Sequence, residues 1–223
     1  MDPRAKTALP LLLASILGCG DGSSASPPGD DGTGGTGGTD LASAMTGGGA
    51  DGSAGAADMT AAAPDRRLEP LALGRTWTYD VKSTYPSCPG GTRTKTVLGT
   101  VTVDGKAAFE VEGICGYKAA ETQSGNVVES KYQTYPWFRV LDEPVAEGHT
   151  WMTTNGAATF GMKYSFAGQV TTPAGTFNDC WKVTQQVSYT QSWTYCPGVG
   201  EVSSTMIDLA GGTITYSLVK KNF

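Results

Sequence analysis

Glu69-Pro-Leu-Ala-Leu-Gly-Arg-Thr-Trp77 returns as Glu143-Pro-Val-Ala-Glu-Gly-His-Thr-Trp151, with Glu, Pro, Ala, Gly, Thr and Trp unchanged at six of the nine positions. An internal echo of this kind marks a body assembled from similar units. Each copy opens with a Gly turn and runs into a segment of β-formers carrying a Trp. The fold expected from it is all-β, with halves of about 69–141 and 143–223.

The flanking pattern agrees. Arg75–Thr84 alternates Trp77, Tyr79 and Val81 onto one face, the period of a half-buried strand. Arg93–Thr102 and Lys106–Ile114 read as a hairpin about Asp104-Gly105. A two-residue loop there would pair Val101 with Ala108 and scatter apolar residues over both faces. A three-residue loop, Val103-Asp104-Gly105, pairs Val101 with Ala107 and Gly99 with Phe109, and is the register expected. Tyr117–Gln123 and Val127–Tyr135 form a second hairpin about Ser124-Gly125-Asn126, and Pro136–Leu141 reads as the connection between halves. His149–Thr154, Ala157–Thr171 (with Phe160, Met162, Tyr164 and Phe166 alternating), Thr176–Ser188, Gln191–Cys196, Glu201–Ile207 and Thr213–Val219 complete the second half. No segment sustains a helical period. About a dozen short strands argue for one strongly curved antiparallel sheet, an open barrel or a sandwich.

Composition separates this body from what precedes it. The chain has 223 residues, and all its Trp, Tyr and Phe fall after residue 65. Residues 20–65 are mostly Gly, Ala, Ser, Thr and Asp, too poor in apolar surface to offset chain entropy, and are expected to be a disordered tether. They hold seven Asp and no Lys or Arg, so the acidic balance belongs to the tether, whereas residues 66–223 hold 14 basic and 13 acidic side chains. A near-neutral body carries no electrostatic footprint for nucleic acid. Its 158 residues suffice for a substantial core.

The N-terminus reads as an address. Arg4 and Lys6 precede the apolar run Thr7–Gly18, too short to span a membrane but suited to the core of an export signal, residues 1–18. It ends at Ile16-Leu17-Gly18-Cys19, which resembles the bacterial lipobox. That resemblance implies lipidation of Cys19, which would become the mature N-terminus. Gly20 after the cysteine implies sorting to the outer membrane, with the protein held to the membrane through its acyl chains.

Four further cysteines are an even number in an exported body, which favours disulfides. If Cys180 faces Cys196, the same ladder pairs Lys182 with Thr194 and Thr184 with Ser192, and gathers Trp181, Val183, Trp193 and Tyr195 on the other face. The pairing that bridges the cysteines therefore also sorts apolar from polar. Elimination leaves Cys88 with Cys115. The rival readings are free thiols and a zinc site; for zinc there is no Cys-x-x-Cys, and His149 is the lone histidine.

Catalytic constellations are thin. A nucleophile needs a base, and His149 is the sole imidazole. Asp142-Glu143 and Glu110/Glu112 are paired carboxyls, but Glu110 and Glu112 alternate with the apolar set and should face solvent. Pro197-Gly198-Val199-Gly200 has no helix after it, so it is a turn rather than a phosphate cradle. Trp77, Trp151 and Trp181 suit core packing. Trp137, Trp193 and Tyr195 are the candidates for a ligand groove.

Gly74-Arg75-Thr76-Trp77-Thr78-Tyr79, Pro173–Phe177 before Asp179-Cys180-Trp181-Lys182-Val183, and Tyr195–Gly200 together resemble a group of bacterial exported proteins of undefined function. The resemblance implies a curved antiparallel sheet loosely similar to periplasmic lipoprotein carriers and sensors, and supplies no catalytic residues. The expected function is a monomeric, non-enzymatic binding or interaction module of the cell envelope, without cofactor. Its partner would be an envelope protein, glycan or lipid. The alternatives are a purely structural surface lipoprotein, a carrier of an apolar ligand and, last, a hydrolase.

Overall fold

Alternation sets the first strand. Trp77, Tyr79 and Val81 are buried, while Thr78 is half-buried and Asp80 and Lys82 are exposed. In a strand, successive side chains leave opposite faces, so this pattern puts one face on a core. The computed structural model describes residues 64–186, 190–207 and 212–223. Cys19, the export signal and residues 20–63 of the tether lie outside the described residues; its last residue, Asp65, is ion-paired with Arg67 and Arg75 at 2.8 and 3.2 Å.

The strands are β1 (Thr76–Ser83), β2 (Gly91–Val103), β3 (Lys106–Glu112), β4 (Lys118–Ser124), β5 (Val127–Lys131) and β6 (Phe138–Leu141), then β7 (Thr150–Thr154), β8 (Thr159–Thr172), β9 (Gly175–Gln186), β10 (Thr190–Cys196), β11 (Gly200–Ile207) and β12 (Thr213–Lys221). They form one antiparallel sheet in the order β6-β5-β4-β3-β2-β1-β12-β11-β10-β9-β8-β7. Two six-stranded meanders thus join through β1 and β12, and the sheet curls until β6 and β7 meet. The result is a barrel that is nearly closed. Where β6 meets β7 there is no ladder. Two side chains bridge the seam instead: the Arg139 N–H donates to Thr153 Oγ1 at 2.7 Å, and Trp151 Nε1–H donates to the Arg139 carbonyl at 3.2 Å.

The duplication read from the sequence is visible in the hydrogen bonds. Gly74 N–H donates to the Val97 carbonyl and Val97 N–H to the Arg75 carbonyl, both at 3.0 Å; Gly148 and Tyr164 with His149 repeat this at 3.1 and 2.9 Å. Gly74 and Gly148 hold φ of 75° and 79°, a left-handed turn that glycine adopts without steric cost. The repeated glutamates also act alike, each capping a hairpin turn of the other half. Glu69 Oε2 accepts from Glu201 N–H, and Glu143 Oε1 accepts from Asn126 N–H. Each repeated Trp anchors one core cluster, Trp77 with Val97, Val111, Val202 and Leu218, and Trp151 with Val128, Leu141, Met162 and Tyr164.

Both disulfides, Cys88–Cys115 and Cys180–Cys196, are formed. The ladder beside the second pairs Lys182 with Thr194 and Thr184 with Ser192, the register that sorts the faces.

Three expectations are corrected. The β2–β3 turn is the two-residue one: Val103 pairs with Lys106 and Val101 with Ala108. Asp104 and Gly105 both have positive φ, 51° and 75°, as the hairpin turn that matches strand twist requires. The scattering expected of that register is removed by a bulge at Leu98, between Val97 and Gly99, which returns Val97 and Val111 to the core opposite each other. Pro136–Leu141 is not merely a connection, because Phe138–Leu141 is strand β6. Phe166 continues the alternation of Phe160, Met162 and Tyr164 but is 53% exposed, edge-on to Trp181.

Candidate functional site

Consecutive hairpins place their turns alternately at the two ends of the barrel. At one end the segment before β1 crosses the opening as a plug. Leu68 and Leu71 are buried there. Leu68 N–H donates to Asn126 Oδ1 at 2.8 Å, Leu71 N–H to Gln123 Oε1 at 3.1 Å, and Gly198 N–H to the Arg67 carbonyl at 2.9 Å. The Gln123 amide closes the set by donating to the Glu69 carbonyl.

The plug aims Glu69 inward, only 2% exposed. Its Oε1 accepts from Lys95 Nζ at 2.9 Å. Lys95 pairs across the ladder with Trp77, so both point into the barrel. Lys95 Nζ also lies 3.7 Å from Glu121 Oε2. That oxygen is shut from solvent and receives no hydrogen bond. On the far wall Glu201 Oε1 accepts from Tyr216 O–H at 2.5 Å, and Tyr79 O–H donates to the Glu201 carbonyl at 2.9 Å. The floor of the barrel thus holds three carboxyls against one ammonium.

Electrostatics follow from that ratio. Burial alone would lower the Lys95 pKa, but Glu121, Glu69 and Glu201 outweigh it and hold the ammonium above its ordinary value. Burial raises Glu121, with Lys95 opposing only in part. Burial pushes Glu201 up to about 8, against Lys95 and the Tyr216 hydroxyl. Tyr79, Tyr195 and Tyr216 are raised too, by burial first and then by Glu201.

Above the floor the barrel is hollow. A cavity of about 390 Å³ rises from Lys95, Glu121 and Glu201 past Met162, Trp193 and Tyr195 to a rim that includes Tyr85, Ile114, Tyr117, Tyr135 and Asn155. Its wall is mostly apolar, with Ser130 and Gln185 as buried polar points. Phe138, Arg139 and Val140 all line it. Only alternate residues of a strand face one way, so three in succession mean that the cavity reaches the edge of β6 at the seam.

Of the groove candidates, Trp193 and Tyr195 line this cavity and Trp137 does not. Trp137 sits across from the β2–β3 turn, its Nε1–H donating to Asp104 Oδ2 at 3.2 Å with Lys106 Nζ 4.9 Å from the ring. Glu110 pairs with Lys118 at 3.1 Å on the surface. His149 Nε2 lies 2.9 Å from Asp142 Oδ2, and its ring stacks on Trp151 and Tyr164 at 5.9 and 6.1 Å. Asp142 also binds Arg139 Nη1 at 2.8 Å; burial opposes ionisation, but His149 and Arg139 prevail and hold the carboxyl below its ordinary range. This cluster braces the β6–β7 connection beside the seam, where the Arg139 N–H meets the Thr153 hydroxyl. Among the described residues no group of three or more His, Cys, Asp or Glu is placed to hold a metal ion.

The polar floor is what the sequence reading missed. The signal was parity: Lys95 shares a face with Val97 on one strand, so an inward Val97 implies an inward Lys95.

No family model matches this chain, and no curated protein matches it. Two solved structures are similar. One is a protein provisionally named as exported, with a YmcC-like fold, from Bacteroides fragilis NCTC 9343: 12% identity, TM-score 0.38, spanning 72% of this chain and 100% of that one. The other is a protein provisionally named a lipoprotein from Parabacteroides distasonis ATCC 8503: 14% identity, TM-score 0.34, spanning 71% of this chain and 99% of that one.

Proposed function

We propose that this chain is a non-enzymatic binding module of the cell envelope, moored through a lipidated Cys19, that carries an apolar ligand inside its barrel. The observation that carries the reading is the cavity. At about 390 Å³ it falls in the size range of small-molecule sites, which are concave and apolar with a few polar groups that fix orientation. A barrel built only as a surface scaffold would gain by filling that space, because interiors pack densely and voids cost stability.

Two tests bear on the two parts. An environment-sensitive apolar dye is expected to bind the purified chain at one per molecule and to quench Trp193, and native mass spectrometry of protein released gently from membranes is expected to show a bound apolar species. A chain that takes up no dye and carries nothing would sink the binding reading. For the anchor, Cys19→Ser is expected to move the protein from the membrane pellet to the soluble fraction. Retention of that variant in the pellet would overturn the lipid attachment and leave the binding reading standing.

A further inference from the structure

Resting on the cavity reading above, we infer that the bound molecule is a single-chain amphiphile with a protonated amine head, seated tail-outward with the amine on Glu121.

Three observations converge. The cavity wall is mostly apolar, and its two carboxyls, Glu121 and Glu201, lie at the closed end with Lys95, so the fitting occupant is apolar with a polar terminus at that end. That terminus meets Lys95, Glu121 and Glu201, with Glu69 bonded to Lys95, a surplus of carboxyls. Lys95 is committed to Glu69 at 2.9 Å, and stands off Glu121 at 3.7 Å. Glu121 lines the cavity, and its Oε2, closed to solvent, has Lys95 at 3.7 Å without a hydrogen bond. An ammonium seated against this carboxyl supplies positive charge that the cluster lacks.

The opposite head fits badly. A fatty-acid carboxylate would join three carboxyls around one lysine already engaged. The other cation lining the cavity, Arg139, is held by Asp142 at 2.8 Å and Glu129 at 3.7 Å. The remaining ionisable groups at the floor are the hydroxyls of Tyr79, Tyr195 and Tyr216, neutral at ordinary pH and unable to neutralise an anion.

Binding of an ammonium should be linked to protons. Burial holds Glu121 and Glu201 protonated to higher pH than usual. Raising the pH ionises them and strengthens the hold on a cation, while a carboxylate head is repelled.

Dodecylamine, dodecanol and dodecanoic acid, each kept below its micelle concentration, can be compared on the full chain by dye displacement at pH 6 and pH 8.5. Dodecylamine is expected to bind at least about tenfold more tightly than dodecanoic acid at pH 8.5, with its own affinity rising between the two pH values. Glu121→Gln, close in shape to the native residue, is expected to remove most of that preference by weakening dodecylamine far more than dodecanol. Equal or tighter binding of the acid at pH 8.5 in the wild-type chain would overturn the amine assignment, as would a preference untouched in Glu121→Gln. Equal binding of all three probes would overturn the amine assignment while preserving the cavity as an apolar site; failure of all three to displace the dye would overturn both.

Discussion

Lys95→Met is expected to lower stability by about 3–5 kcal/mol near pH 8, the usual cost of removing one partner from a buried charge cluster. The loss should shrink toward pH 5. The substitution keeps volume, so packing is not the cause. It leaves Glu69, Glu121 and Glu201 around an apolar stem, and they must take up protons or lie buried as unpaired anions.

The pH course has a definite sign. Glu201 is raised from 4.5 to about 8 in the folded chain. Such a group favours the folded state most below its unfolded value, and that contribution is lost as pH rises through the folded one. Glu121, also raised, acts in the same direction. The wild-type chain should therefore lose stability as pH rises from about 4.5 to about 8, Lys95→Met should lose it more steeply, and Glu201→Gln should flatten the course. Asp65, lowered to about 2, and Asp142 contribute only at the acid end, where falling pH removes their support. Urea titrations at pH 5, 6.5 and 8 measure all three chains. An equal loss for Lys95→Met at every pH would mean that Lys95 matters through packing alone.

Trp77→Ala is expected to cost about 3–5 kcal/mol, as large core truncations do. Trp77 is wholly buried, its indole N–H donates to the Val199 carbonyl at 2.6 Å, and Phe223 packs edge-on at 5.2 Å. It also fixes how the chain passes below it. Gly200 has φ of 97°, and a Cβ there would lie 2.7 Å from Trp77 Nε1, so this turn and this Trp are fitted to each other. Trp77→Phe keeps the apolar bulk but leaves the Val199 carbonyl without its donor, and should cost less, about 1–3 kcal/mol. Equilibrium denaturation distinguishes the two variants. A loss under about 1 kcal/mol for Trp77→Ala would remove this residue from the centre of the core.

Much of the architecture was legible because it is written in short-range terms. The nine-residue echo marked both halves, alternation marked nearly every strand, and the Cys180–Cys196 register could be reasoned from which faces it sorted. What escaped was long-range or compensatory. The β2–β3 register looked unfavourable because a uniform ladder was assumed; one extra residue at Leu98 repairs the mismatch, and a bulge carries no compositional mark of its own there. Glu69 was quoted as part of the echo, yet nothing local told that it would meet Lys95, Glu121 and Glu201, which come from three separate strands. A hollow interior is likewise a property of how the strands close, which Trp193 and Tyr195 hinted at and Trp137 did not share.

The seam is held differently from every other junction of the ring. Separating β1 from β12 would break a ladder of seven residue pairs. Separating β6 from β7 gives up the bond to the Thr153 hydroxyl, the bond from the Trp151 indole and the apolar packing of Leu141 in the Trp151 cluster, but no ladder. The cylinder is thus closed by ladders at eleven junctions and by side-chain contacts at the twelfth, and that one line borders the hollow.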